Sequence, residues 1–227
     1  MCSRYFLDAD GNIIAYTFRV DVKEPVQRRY NIAPTQLAPV IRADAPGSRE
    51  IAILRWGLVP SWAKEIGVGN RMINARSEGV ETKPAFRAAV AERRCIIPAT
   101  GFFEWQGAPG RKQPYAITVA DRPLFGFAGL WERWVPRGGD PVETFTIMTV
   151  DANPAVAEVH DRMPVILPPE AEDLWLHGAP DEARQLLVPY AGEVKLRAVS
   201  RKVSDPKVDV PECLADADTQ WGQQQLL

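Results

Sequence analysis

The stretch MCSRY places Cys2 directly behind the initiator methionine. Removal of that one residue would leave a thiol and a free α-amine on neighbouring carbons, a 1,2-aminothiol that no internal cysteine offers. Reference pKa values are about 8 for the amine and about 8.5 for the thiol, so a sizeable share of the amine is neutral near physiological pH. Such an amine attacks an aldehyde to form an imine, and the tethered thiol then closes on the imine carbon as a thiazolidine. Closure profits from the high effective concentration of a nucleophile already in place. Ring-opened abasic DNA carries an aldehyde of this kind.

Three further positions could serve that chemistry. His160 lies in VHDRMP and moves protons near neutrality without help. Beside Asp161 and Arg162 it also reads as a member of a surface ion pair. Glu104 lies in GFFEW, and strand alternation puts it on the face of Phe102. A carboxylate on a buried face needs a partner or takes up a proton, so Glu104 reads as an acid–base group or as an arginine's partner. Asn74 in INARSE offers an amide and also fits a turn before Ser77. A thiol, a histidine, a carboxylate and an amide suffice for nucleophilic catalysis. In RWGLVPSW, Trp56 reads as core, whereas Trp62, preceded by Pro-Ser in a turn, reads as surface.

The composition bounds these options. With 227 residues, 46% hydrophobic and 25% charged, the chain reads as an ordinary globular protein with enough length for a real core. No run of 18 apolar residues occurs, and Asp8 and Asp10 stand where a signal peptide would be apolar, so the expected compartment is the cytoplasm. Cys2, Cys95 and Cys213 are odd in number and far apart, which argues against a disulfide framework. Two histidines and no CxxC leave neither a metal site nor a cofactor to expect. The net charge of −2 requires any nucleic-acid binding to come from a local basic patch.

The elements that must position these residues are mostly strands. Alternation or β-branched enrichment predicts strands at Leu37–Arg42, Glu50–Trp56, Cys95–Ile97, Phe102–Trp105, Tyr115–Val119, Leu124–Leu130, Thr144–Val150, Val165–Leu167 and Lys195–Val199. Helices are predicted at Pro84–Glu92, Asn153–Val159, Pro169–Leu176 and Asp181–Val188, with Asn153-Pro154 reading as an N-cap and N1. Residues 11–20 fit helix or strand. The expectation is one α+β domain over residues 1–210, mostly antiparallel, followed by a polar, frayed tail at 211–227. No glycine-rich phosphate loop occurs.

Taken in order, MCSRY, YNIAPTQ (30–36), RWGLVPSWA (55–63), INARSEGVETKPAFR (73–87), RRCIIPATGFFEW (93–105), QPYAI (113–117), FAGLWERW (127–134), TIMTVDANPAVAEVHDRMPVIL (146–167) and AVSRKV (198–203) make the chain resemble the SOS response-associated peptidase (SRAP) family, which includes abasic-site shield proteins. Residues 7–29 match poorly, and Ser3 stands where the family commonly has glycine. The resemblance implies a single compact domain with a bifurcated, barrel-like, mainly antiparallel sheet flanked by short helices. It implies a DNA-damage (SOS) function in which Met1 is removed and Cys2 crosslinks to an abasic site in single-stranded or junction DNA, with a latent lyase activity. In that reading Asn74 orients the linkage, Glu104 assists proton transfer, His160 acts on the sugar hydroxyl, and Thr149 adds a polar contact. Arg4, Arg76 and Arg162 are implied as phosphate contacts, Trp62 as a stacking wedge, and Arg71, Arg87 and Arg94 as extensions of the patch.

The alternatives are a thiol peptidase using Cys2 and His160 on its own Met1–Cys2 bond or another peptide, an N-terminal-cysteine amidotransferase, and a non-enzymatic DNA-binding module. The expected partner is DNA containing abasic sites, with no membrane partner. A monomer is expected, in the cytoplasm and on the nucleoid when bound to DNA.

Overall fold

Asp10 settles the ambiguity of residues 11–20. Its carboxylate accepts from the amides of Asn12 and Ile13 at 3.1 and 3.2 Å, capping helix α1 (Gly11–Phe18). Ile14 and Phe18, four residues apart, turn one apolar face into the core. The computed structural model describes residues 2–217 apart from Glu24, Asp44, Pro46 and Pro109.

Strand β1 (Tyr5–Leu7) precedes this helix, and β2 (Arg29–Ile32), β3 (Leu37–Ala43), β4 (Arg49–Trp56) and the short β5 (Asn74–Arg76) follow it. Helix α2 (Arg87–Glu92) leads into β6 (Arg94–Ala99), β7 (Gly101–Gln106), β8 (Gln113–Val119), β9 (Phe125–Trp134) and β10 (Val142–Asp151). Then come α3 (Pro154–Ala157), β11 (Arg162–Pro164), β12 (Ile166–Leu167), α4 (Glu172–His177), α5 (Pro180–Arg184) and β13 (Val194–Ala198). Each predicted strand is present, with Val165–Leu167 reduced to the two-residue β12, which a break at Val165 separates from β11. The helices are shorter than predicted: α2 begins at Arg87, and the first turn of 169–176 is a 3-10 turn, Pro169–Ala171. Asn153 caps α3 through the amide of Val156 at 3.0 Å. Among the described residues no helix is long and apolar enough to cross a membrane.

The architecture is α+β in one domain. One sheet runs β13-β8-β7-β1-β2, and a second runs β11-β10-β4-β3-β6-β9-β12, with β5 beside β10. Pairing is antiparallel except for β10 against β4 and against β5. The two sheets wrap one core in the barrel-like manner expected, flanked by short helices. Tyr5 ties them together: its ring meets Trp56 edge-on at 5.3 Å and Phe127 at 6.0 Å. Burial of each such ring contributes about 1.5–3 kcal/mol.

Two features place the N-terminus. Tyr5 pairs with Phe102 and Phe6 with Gly101, and the amide of Phe103 donates to the Arg4 carbonyl at 3.0 Å. Gly101 makes this approach possible, because a Cβ there would lie 2.4 Å from the Phe6 ring. Residues 2–4 therefore run on past β1 beside the β7 segment that carries Glu104.

Of the segment read as a tail, residues 211–217 hold a packed turn, Pro211–Leu214, with Cys213 buried against Phe6, Phe103 and Val203. Residues 218–227 lie outside the described residues.

Candidate active site

Cys2 is fully buried. Its Sγ lies 3.7 Å from the Arg4 carbonyl. Burial pushes the thiol pKa well above its ordinary value, and the negative charge of Glu104 pushes it further. The Cys2 carbonyl accepts a 2.7 Å hydrogen bond from Nδ2 of Asn74. Asn74 stands there because β5 runs parallel to β10, with Asn74 opposite Ile147. Its other amide atom, Oδ1, is buried with no hydrogen-bond partner among the described residues.

Glu104 sits on β7 opposite Tyr115 and is buried. Burial raises its pKa to about 7, with Asp161 adding to the rise and Lys112 opposing it. Near neutrality it is divided between acid and base, as proton transfer requires. Burial also lowers the pKa of His160. The amide of Arg162 donates to Nδ1 of His160 at 3.0 Å, which in the neutral ring leaves the proton on Nε2. The same Nδ1 lies 2.8 Å from Asp161, a contact that becomes an ion pair when the ring is protonated. Glu104 and His160 line a cavity of about 380 Å³ together with Ser3, Arg4, Trp105 and Lys112. The structure thus brings Glu104 and His160 to one pocket and joins Asn74 to Cys2, whose buried thiol feels the charge of Glu104, while Cys2 and Asn74 themselves do not line that pocket.

The cations divide into two groups. Arg76, Arg71 and Arg87 are exposed. Arg4 lines the cavity, donating to Asn31 at 3.0 Å and to the Val203 carbonyl at 2.8 Å. Arg162 is buried: it donates to Glu78 at 2.6 and 3.0 Å, to Asp151 at 2.6 Å and to the Thr149 carbonyl at 2.8 Å. That pairing holds the Glu78 carboxyl at about 2, well below the usual carboxylate range. Arg94 does not extend the patch, because it is buried under α4 with its guanidinium donating to the carbonyls of Val90, Ala91, Trp175 and Gly178. Trp62 is 61% exposed, as its Pro-Ser context suggests, while Trp56 is core. Thr149 is buried and its hydroxyl turns to the Ala75 carbonyl at 3.5 Å.

Sequence reasoning missed Lys112 and Trp105 at the cavity. The β7–β8 hairpin, with Gln106 opposite Gln113, folds Lys112 back to the rim. Residues 106–113 read as a Gly/Pro-rich hairpin tip, and that reading alone does not show which of its side chains reach the cavity of Glu104.

The family model described as SOS response associated peptidase (SRAP) matches residues 1–206. The chain is 40% identical over 222 residues to a Bacillus subtilis protein named abasic site processing protein YoqW, covering 94% of this chain and 99% of that one. It is 34% identical over 218 residues to the chicken protein named abasic site processing protein HMCES, covering 82% of this chain and 65% of that one. A crystal structure of a Bacteroides thetaiotaomicron protein superposes with a TM-score of 0.86 at 27% identity, covering 96% of this chain and all (100%) of that one. One from Bordetella bronchiseptica gives 0.78 at 30% identity, covering 88% and 100%.

Proposed function

Because the chain belongs to the SOS response-associated peptidase (SRAP) family, we propose that it processes abasic sites in DNA by covalent capture through Cys2, as part of the response to DNA damage. The observation that carries this reading is the 2.7 Å hydrogen bond from Asn74 to the Cys2 carbonyl, which fixes residue 2 beside a carboxyl of pKa about 7.

In the proposed sequence, removal of Met1 frees the Cys2 amine. The amine adds to the ring-opened aldehyde, and Glu104 takes the proton released from nitrogen. Glu104 returns that proton to the alkoxide oxygen and then relays the second N–H proton to the resulting carbinolamine hydroxyl, which leaves as water and gives the imine. The Cys2 S–H adds across the C=N bond, sulfur to carbon and proton to nitrogen, closing the thiazolidine. His160 exchanges a proton with the sugar hydroxyl through Nε2, aiding ring opening and reversal. Loss of a proton from the carbon next to the imine would instead expel phosphate, the lyase route that ring closure forestalls.

The buried thiol favours an amine-first order. A cysteine peptidase needs a thiolate at working pH, and burial here pushes the Cys2 thiol the other way. Addition to a preformed imine does not require a standing thiolate. Exposed Arg76 and Trp62 would meet the single-stranded or junction strand first. Arg4 would meet the lesion phosphate from the cavity wall, and Arg162 would act from behind it. Contacts of this kind read a backbone and a lesion, not a base sequence. The reading has the chain act as a monomer in the cytoplasm, on the nucleoid while bound.

The test is intact mass after mixing the protein with single-stranded DNA holding one abasic site. The protein alone should weigh one methionine less than the coded chain. The product should equal protein plus DNA minus one water, without borohydride. A chain with a confirmed free Cys2 amine and no adduct would overturn the proposal.

A further inference from the structure

Two cations of the cavity, Arg4 and Lys112, are tied to one turn, Arg201–Ser204. Nη1 of Arg4 donates to the Val203 carbonyl at 2.8 Å and to Asn31 at 3.0 Å. The Lys112 carbonyl accepts from Nη2 of Arg201 at 3.0 Å. The β7–β8 hairpin that carries Lys112 is pinned twice more. Nε1 of Trp105 donates to Oγ of Ser204 at 3.2 Å, and Nε2 of Gln106 donates at 2.7 Å to the carbonyl of Glu158, just before His160. The Arg4 guanidinium also lies over the Trp105 ring, 5.8 Å from its centroid, so Arg4 is set against the hairpin as well as the turn. The backbone of Lys112 is therefore held, and its exposed side chain lines the cavity.

We propose that Lys112 is a further DNA-binding residue of this site, holding together with Arg4 the phosphodiester next to the abasic sugar. The inference rests on the abasic-site reading above and adds the second wall of the phosphate seat.

Three observations point to a phosphate. First, the protein does not balance either cation. Arg162 meets Glu78 and Asp151, whereas among the described residues Arg4 and Lys112 form no ion pair. Arg4 gives Nη1 to neutral acceptors, and burial, which disfavours its charge, lowers its pKa. An anionic ligand would supply the missing counter-charge through charge-assisted hydrogen bonds. Second, Lys112 acts on the proton-transfer pair. Burial dominates the pKa values of Glu104 and His160, and the charge of Lys112 then opposes the rise of Glu104 and adds to the fall of His160. A sugar placed against Glu104 and His160 brings the phosphate bonded to it towards that ammonium. Third, the cavity of about 380 Å³ has room for a sugar together with its phosphate. The two cations differ usefully: a planar guanidinium takes two oxygens at once, and an ammonium on a flexible stem follows the backbone as a point charge. Neither contact reads a base.

The test uses the full chain and a single strand with one tetrahydrofuran residue, an abasic analogue without an aldehyde, so that binding is read apart from capture. Lys112→Met should weaken binding about tenfold at low salt. It should also flatten the slope of log affinity against log salt by about 0.7, one phosphate's share on a single strand. Lys112→Arg should restore both, and neither variant should shift the melting temperature, since Lys112 is exposed. A methylphosphonate, which removes the charge of one linkage, is then placed on each side of the analogue in turn. At one of the two linkages the loss should be about tenfold larger in the native chain than in Lys112→Met, a direct coupling between that charge and Lys112. Equal losses in both chains at both linkages would overturn the inference. So would equal affinity and salt slope for native and Lys112→Met, while covalent capture by the native chain would leave the abasic-site reading standing. A native chain that neither binds the analogue nor captures an abasic strand would overturn both.

Discussion

Nδ2 of Asn74 donates to the Cys2 carbonyl at 2.7 Å, so Asn74 holds the residue proposed to make the covalent bond by its backbone, while the thiol faces the Arg4 carbonyl at 3.7 Å. This leaves amine and sulfur uncommitted by the anchor. Asn74→Ala should slow capture by roughly tenfold to a hundredfold, the effect of losing about 1–3 kcal/mol from a buried hydrogen bond. Asn74→Asp should be slower still, because a carboxylate cannot donate to the carbonyl and repels it. Single-turnover gels of adduct against time decide this. Unchanged rates in both variants would remove Asn74 from the site.

Glu104 links activity and stability in opposite directions. Its pKa is raised from 4.5 to about 7 in the fold. As the proposed base, its working form grows as pH rises through about 7, so capture by the native protein should rise there. Glu104→Gln should keep only the later rise of the amine near about 8. The sign for stability is the reverse. The folded protein holds the proton more tightly than the unfolded chain, so the stabilisation present below pH 4.5 is lost as pH climbs to about 7. Above that, the buried charge costs about 3 kcal/mol. Glu104→Gln should therefore melt higher than the native protein at pH 8 and lose that advantage at pH 4. A lower melting temperature at both pH values would show that Glu104 is a structural partner.

Arg162 joins the loop of His160 to the turn after β5. Its amide sets the His160 tautomer, and its guanidinium holds Glu78 and Asp151. Glu78 is largely exposed, so Glu78→Ala should cost only about 1 kcal/mol of stability. The same change should slow reversal of the adduct, because the His160 ring loses its fixed orientation. Arg162→Lys, which cannot bridge both carboxylates in one plane, should act in the same direction. Thermal melts and adduct reversal in the presence of a trapping aldehyde separate the two effects. Normal reversal in both variants would cut Arg162 from the positioning of His160.

The strands were legible because β-branched and aromatic enrichment needs no knowledge of packing: Tyr115–Val119 and Thr144–Val150 show it without reference to neighbours. The α1 segment was not, because its apolar residues fit either period and the decision came from the Asp10 side chain. Strands β1 and β5 are three residues each, too short for a pattern, and exist only because β7 and β10 supply partners. Asn74, Glu104 and His160 were visible as residue types in motifs, but the hydrogen bond of Asn74 to Cys2 and the cavity that Glu104 shares with His160 are tertiary facts. Arg94 shows the limit most plainly. Among basic neighbours it reads as part of a patch, yet the helix ends around it offer four carbonyls and draw it inside.

Trp62 is 61% exposed and Arg76 is exposed, so neither should matter much to the fold. Trp62→Ala should weaken junction DNA binding by about 1–3 kcal/mol, the worth of one stacked base, with the melting temperature unmoved. Arg76→Ala should weaken binding to all sequences alike and flatten the salt dependence by about one counterion. Fluorescence anisotropy over a salt series distinguishes them. Unaltered affinity for Trp62→Ala would leave that indole without a DNA role.

Cys2→Ala separates the two nucleophiles, since it keeps an N-terminal amine and removes only sulfur. If the amine acts first, this variant should still form an imine, which borohydride reduction converts into a permanent crosslink. Without the thiol the imine cannot close, so no adduct should survive denaturation untreated. The same open imine stays exposed to proton loss at the neighbouring carbon, and strand cleavage should exceed that of the native protein. Cys2→Ser should behave alike, because a serine hydroxyl is a far weaker nucleophile toward the imine than a thiol. An untreated, denaturation-stable adduct in Cys2→Ala would rule out the thiazolidine. Loss of even the borohydride-trapped species, with Met1 shown to be absent, would mean that sulfur attacks first and would favour the thiol-peptidase reading of the same residues.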